Sequence, residues 1–218
     1  MKSDLPKVLV PVAGRPMIDY VVDMLARCGL DRVLVVVGYR ADLVRSHLAG
    51  RPGVEFVEQT EQLGTGHAVM VCREALADHD GPVVVVTGDS PLVRPQTIRS
   101  LLDEARRRNA ACLLGTACKD DPHGLGRIVR DADGRFSAIV EEKDATSQQR
   151  KITEVNMSCY VFAARDLLAA LERLRADNAQ REYYLTDCPG LLLQAGCTVE
   201  DRKSTRLNSS HARISYAV

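Results

Sequence analysis

Val83-Val84-Val85-Val86-Thr87-Gly88-Asp89-Ser90-Pro91 decides the fold. Four consecutive valines read as a short strand covered on both faces, because a strand wet on one face would alternate apolar and polar residues. β-branched side chains suit a strand and are disfavoured in a helix. The run stops at Gly88, presents a carboxylate at Asp89, and meets Pro91, which cannot continue a ladder. A carboxylate just past the C-terminal end of a parallel strand lies where open α/β sheets bind ligands. Two readings of Asp89 stand side by side: a ligand for a divalent metal holding phosphates, or a cap on the turn.

Upstream of the valines, strand and helix alternate. The opening Leu5–Pro16, rich in Pro and Gly, reads as extended chain and loop. A helix follows through Met17, Ile18, Val21, Val22 and Leu25, with Gly29 closing it. Further elements are a strand at 32–37, a helix at 41–48, a strand at 54–57 and a helix at 65–76 entered through Gly64-Thr65-Gly66. After the valine strand (83–87) comes a helix from Pro95 to about Arg108. Such alternation is the pattern of βαβ units and a mostly parallel sheet flanked by helices, a Rossmann-like α/β fold. The second half changes character. Strands are expected at 111–116, 127–130, 136–141 and 154–162, with a Gly134 hairpin turn, and helices at 165–174 and 186–195. Antiparallel elements of this kind make a substrate lobe beside a nucleotide lobe.

Composition narrows the function. The chain has 218 residues, 45% of them hydrophobic, with 29 basic and 29 acidic side chains. That is one ordinary core, and a net charge of zero gives no electrostatic grip on nucleic acid or an anionic membrane. No apolar run is long enough for a membrane span, and no signal peptide opens the chain, which together give a cytoplasmic expectation. Seven scattered cysteines without a CxxC pair fit buried thiols in a reducing compartment.

Several residues carry possible chemistry, each beside a plainer reading. Gly64-Thr65-Gly66 at a helix start would leave backbone N–H groups for an anion or a carbonyl-rich base, or is only a turn. Lys7 would reach a phosphate, or is a solvated lysine. Gln59 would read a base edge through its paired donor and acceptor, or is a polar strand-end residue. Gly124-Leu125-Gly126-Arg127 is a tight loop aiming amides at a ligand, or a hairpin connection. Glu141 and Asn156 would take sugar hydroxyls. His67 is read as a packing or hydrogen-bonding residue.

The order of the motifs says more than any one of them. LPKVLVPVAGRPM, EQLGTGHA, VTGDSPL, GLGRI, VEEKDA, EVN and EYYLTD, running from residue 5 to residue 187, resemble in register the bacterial N-acetylglucosamine-1-phosphate uridyltransferases, a branch of the sugar nucleotidyltransferases. The resemblance covers roughly residues 3–200. It implies a Mg²⁺-dependent reaction of UTP with N-acetylglucosamine 1-phosphate, giving UDP-N-acetylglucosamine and pyrophosphate for peptidoglycan and lipopolysaccharide synthesis. It implies that Lys7 contacts nucleotide phosphates, that Gln59 and Gly64 hold uracil, and that Thr65 lies beside the nucleotide sugar. Thr87, Gly88 and Asp89 would run along nucleotide and sugar, with Asp89 on Mg²⁺. Gly126, Glu141 and Asn156 would bind N-acetylglucosamine, flanked by Tyr184 and Thr186. Rival readings are a nucleotidyltransferase of other sugar specificity, a non-catalytic nucleotide-sugar-binding fragment, and a dehydrogenase, which the missing GxGxxG disfavours.

The ends depart from the family pattern. The family opens with a strand and an LAAGxGTRM loop carrying an arginine; here the chain begins at what would be the last methionine of that motif. Its second metal ligand, an asparagine in VxGVNxR, has no counterpart before residue 201. Asp201–Val218 (DRKSTRLNSSHARISYAV) is Ser- and Arg-rich with no strand or helix period. It reads as a disordered tail or as translated sequencing-adapter sequence, and is set aside from fold reasoning, leaving an incomplete nucleotidyltransferase domain at 1–200. The expectation is two unpaired strand edges and impaired turnover, with a parent that either trimerises through a further domain or is a uridyltransferase domain alone.

Overall fold

The computed structural model of the protein describes residues 4–204. After a single 3₁₀ turn at Lys7–Leu9, a tight hairpin pairs β1 (Pro11–Val12) with β2 (Arg15–Pro16), turning through Ala13 and Gly14, both at positive φ. Then follow α1 (Met17–Ala26), β3 (Val33–Val37), α2 (Ala41–His47) and β4 (Val54–Glu58). Next come α3 (Thr65–Met70), α4 (Arg73–Leu76), β5 (Pro82–Val86) and α5 (Pro95–Arg108). The second half holds β6 (Cys112–Cys118), β7 (Arg127–Arg130), β8 (Phe136–Val140), β9 (Glu154–Ala163), α6 (Ala164–Arg173), α7 (Cys188–Gln194) and β10 (Val199–Ser204).

The periodicity placed these elements well, and the valine run is β5. Its side chains alternate as a strand covered on both faces must. Val83 and Val85 pack with α6 and α7 residues such as Leu167, Leu171 and Leu192, while Val84 and Val86 pack with Leu25 of α1 and Ile98 and Leu101 of α5. Helices therefore cover both faces of the sheet, and the α/β class stands. The expected full burial does not: all of β5 is only half-buried. The reason lies in its edges. Among the described residues β5 pairs only with β9, and β3 only with β4, so each keeps one edge without a strand partner.

The sheet is less parallel than the alternation implied. β3 and β4 form a separate parallel pair. In the larger sheet β9 lies antiparallel between β5 and β6, and only β10 pairs in parallel, with β6. β5, β6, β7 and β10 still share one direction; β9 and β8 run against them. A ten-residue strand arriving from a hairpin is antiparallel to its neighbours because it returns directly, without a crossover helix. β9 also changes partner part-way. Val155 pairs with Arg127 of β7, whereas Cys159–Ala163 pair with β5. The change is marked by Ser158 at φ +50° and by a register shift against β6 at Leu114/Thr116.

The C-terminal boundary needs a correction. Asp201–Ser204, read from sequence as lacking a strand period, complete β10 in register with Leu114–Ala117. The strand is polar because it lies at the sheet's edge. Asp201 is held there by Arg130 at 2.7 Å, which also grips Glu154 at 2.8 Å. Residues 205–218, the remainder of the set-aside tail, lie outside the described residues. No helix among those described is long and apolar enough to cross a membrane.

Candidate active site

Three groups of the expected residues assemble at strand ends. The first is at the C-terminal end of β5. Lys7 Nζ lies 2.6 Å from Asp89 Oδ2, with the carboxylate side chain only 13% exposed. Thr87 and Ser90 share a 2.6 Å hydroxyl–hydroxyl hydrogen bond that tightens the turn beneath Asp89. A Cβ on Gly88 would press on Val8 and Ile18 at 3.2 Å, so the glycine lets the Lys7 segment lie close. Both readings of Asp89 had left Lys7 apart from it; the structure makes them a pair.

The second group gathers where the hairpin meets β9. A Cβ on Gly126 would come within 3.5 Å of Glu141 Oε1 and 3.6 Å of Asn156 Cβ, so these three expected sugar-binding positions converge. Thr186 donates its hydroxyl to Glu141 Oε1 at 3.0 Å. Asn156 donates to the Tyr160 hydroxyl at 2.6 Å and accepts from the Ser158 N–H at 3.1 Å, which fixes its amide. Burial raises the Glu141 pKa above the ordinary carboxylate range; the Thr186 hydrogen bond works against that rise, and Asp187 and Asp144 add to it. Asp187 itself is pushed up to about 6 by burial and by Asp144. The Tyr184 phenol, hydrogen-bonded by Gln180 at 2.8 Å, is pushed up to about 12, chiefly by burial.

The third group follows β4. Gln59 is 2% exposed, and its side-chain nitrogen lies 3.2 Å from the Gly64 carbonyl oxygen and 3.0 Å from His67 Nδ1. The expectation for Gly64-Thr65-Gly66 needs correcting here. The Gly66 N–H is not available to an anion; it donates to the Tyr183 carbonyl at 2.6 Å. The Tyr183 N–H donates to the Leu63 carbonyl at 2.8 Å, and the Leu185 N–H donates to Thr65 Oγ1 at 3.1 Å. The glycines are there because the Tyr183 segment crosses against them: a Cβ on Gly64 would stand 2.6 Å from the Tyr183 oxygen, and one on Gly66 2.8 Å. This crossing also ties the third group to Thr186 of the second.

Two contributors were not singled out from sequence. Arg127, 2% exposed, pairs with Glu142 at 2.5 Å and donates to the Leu125 carbonyl, bracing the loop that carries Gly126. Its GLGR context was legible; its burial was not. Asp187 was part of the quoted EYYLTD motif, yet nothing in the string marks its acid–base shift. A cleft of about 790 Å³ between the β7–β8 hairpin, α7 and β10 contains none of the expected residues.

A magnesium ion held largely by substrate phosphates needs only one or two protein carboxylates. Asp89 supplies one hard oxygen donor at a strand end, which fits. Among the described residues no group of three or more His, Cys, Asp or Glu side chains could cage a metal alone.

Residues 1–187 match the family of MobA-like NTP transferase domains. The chain belongs to this family. The nucleotidyltransferase expectation drawn from the motif order is thereby borne out. The same NTP transferase stretch is similar to two proteins named bifunctional protein GlmU. That of Geotalea daltonii is 43% identical over 187 residues, covering 86% of this chain and 41% of that protein. That of Geobacter metallireducens is 46% identical over 200 residues, 91% and 42% respectively. The chain thus spans about two fifths of the length of these relatives. Among solved structures, a Bacillus anthracis protein described as a glucose-1-phosphate thymidylyltransferase, in complex with a sucrose, shares the NTP transferase fold. Its TM-score is 0.73 at 19% identity, over 91% of this chain and 78% of that one.

Proposed function

We propose that this NTP transferase domain joins UTP to N-acetylglucosamine 1-phosphate, releasing pyrophosphate and forming UDP-N-acetylglucosamine. A phosphate oxygen of the sugar phosphate attacks the α-phosphorus of UTP. The new P–O bond forms as the bond to the β-phosphate bridging oxygen breaks, and pyrophosphate leaves with that electron pair. The attacking oxygen is already anionic, so no general base is required. Such a transfer asks chiefly for positioning and charge neutralisation.

The observation that carries the reading is the convergence of Gly126, Glu141, Asn156 and Thr186. A half-buried carboxylate oriented by a threonine, beside a fixed amide, suits the hydroxyl and acetamido groups of an amino sugar. Lys7 would neutralise phosphate charge, and Gln59 would read uracil. Asp89 would hold Mg²⁺, which when bound draws charge from the phosphates. The motif order, which resembles that of N-acetylglucosamine-1-phosphate uridyltransferases, favours this sugar over others.

The test is pyrophosphate release from UTP with N-acetylglucosamine 1-phosphate, against glucose 1-phosphate and mannose 1-phosphate. Calorimetric binding of UDP-N-acetylglucosamine is measured in parallel. Release or binding specific to the N-acetyl sugar supports the proposal. Preference for another sugar phosphate in a folded protein overturns it.

A further inference from the structure

Gln59 is a buried amide whose every recorded side-chain hydrogen bond is made by its nitrogen, and its carbonyl oxygen has no partner among the described residues. The orientation of that amide is fixed by chemistry. The Gly64 carbonyl oxygen can only accept, so the atom 3.2 Å away must be the NH₂ group. The second N–H of that group points at His67 Nδ1, 3.0 Å away. For that contact to be a hydrogen bond, Nδ1 must carry a lone pair, so the ring proton sits on Nε2. Both donors of Gln59 are then consumed within the protein.

We propose that His67 is a positioning residue that sets base specificity: it locks Gln59 so that only the carbonyl oxygen faces the ligand. The inference rests on the uridine-nucleotide reading above and deepens it. A lone acceptor recognises the N3–H of uracil. Cytosine turns a lone pair at N3 toward the same oxygen, and the two acceptors repel. Thymine keeps N3–H, so this contact does not separate UTP from TTP. The neighbouring framework holds the device still. The Gln59 backbone N–H donates to the Val37 carbonyl at 2.8 Å, and its carbonyl accepts from Gln62 at 3.2 Å. A Cβ on Gly38 would collide with that Gln62 nitrogen at 2.8 Å. The His67 ring leans on Tyr183, centroids 6.4 Å apart, which restrains its rotation.

The experiment titrates the chain with UTP, TTP and CTP by calorimetry, as wild type, His67→Phe and His67→Asn. An asparagine can place Oδ1 where Nδ1 stood and accept the same hydrogen bond; phenylalanine cannot. The wild type should prefer UTP and TTP alike over CTP. His67→Phe should lose roughly tenfold or more of that preference, and His67→Asn should recover most of it. Histidine ¹⁵N spectra of the wild type should show the Nε2–H tautomer at His67. A preference unchanged within twofold in His67→Phe overturns the inference while leaving the uridine reading intact. An Nδ1–H tautomer overturns it independently of any variant. A wild type with no preference for UTP over CTP removes the uridine reading and the specificity role with it.

Discussion

Gly64 is where one methyl group should do most damage. Its backbone lies at φ +104°, ψ 177°, a region essentially closed to residues with a side chain and costing ~1–3 kcal/mol to occupy. An alanine Cβ there would also stand 2.6 Å from the Tyr183 carbonyl oxygen and 2.8 Å from Glu182 Cβ, so the crossing segment has to move. That segment is stitched down by Gly66 N–H to Tyr183, Tyr183 N–H to Leu63, and Leu185 N–H to Thr65. At ~1 kcal/mol for each of the three bonds if all are lost, plus the backbone term, Gly64→Ala should cost roughly 4–6 kcal/mol. That is a large fraction of an ordinary domain's ~5–15 kcal/mol. Gly190→Ala is the control: this glycine is inside α7 with nothing within 4 Å of its would-be Cβ. There the change should be neutral or gain up to ~1 kcal/mol from helix propensity. Urea denaturation measures both, and hydrogen exchange at the Tyr183 and Leu185 amides reports the stitch directly. A Gly64→Ala protein within ~1 kcal/mol of wild type, with both amides still protected, would refute the reasoning.

Asp187 makes stability depend on pH in the less usual direction. Its folded pKa of about 6 exceeds the ordinary 3.8, so this group's contribution falls as pH rises from about 4 to about 6, then levels off. A fully dry site would give ~3 kcal/mol; solvent reaching this half-buried carboxyl leaves ~1 kcal/mol. Asp187→Asn should flatten that part of a Tm-against-pH curve and raise Tm at pH 7; an unchanged slope counts against the assignment. Arg127→Met leaves the half-buried Glu142 to Arg150 and the Gly124 N–H, and strands two backbone carbonyls that now accept from the guanidinium. It should cost about 1–3 kcal/mol in chemical denaturation, because buried acceptors lose their donor; a loss under ~0.5 kcal/mol contradicts this. Ser158→Gly should stabilise by ~0.5–1 kcal/mol, the left-handed penalty relieved minus the glycine entropy; a lower Tm would show that the side chain's contacts outweigh its backbone strain.

How far the string of residues revealed the fold depends on whether a feature is local. Pro95–Arg108 and Arg127–Arg130 carry their own period and turn signals and lie where expected. The antiparallel placement of β9 is a long-range pairing choice, and nothing inside Glu154–Ala163 announces its neighbours. β10 was missed because an edge strand needs backbone partners more than apolar side chains; Arg202 and Lys203 are exposed, and the strand is tied down by ion pairs, Asp201 to Arg130 and Arg202 to Glu104. At the candidate site, Gly126, Glu141 and Asn156 were legible through motif order. That the glycines at 64 and 66 admit the Tyr183 segment was not legible, because a glycine that admits a ligand and one that admits another stretch of chain look alike in sequence. Lys7 and Asp89 were each picked out, yet their pairing joins residues far apart in the chain.

The two-stranded β3–β4 unit has a consequence for cooperativity. Among the described residues the unit shares no ladder with the larger sheet and is fastened by side-chain packing, through Val35 and Val37 against α1 and Leu34, Val36 and Val57 against the opposite helices. Packing without a backbone ladder makes a natural boundary for sub-global opening. Gln59 rides on the far side of that boundary, whereas Glu141, Asn156 and Thr186 belong to the continuous sheet and the segment laid across it. An opening of the small unit would therefore dismantle the base-reading end and leave the sugar end in place. Nucleotide affinity would then be diluted by the closed fraction, and sugar-phosphate affinity would not.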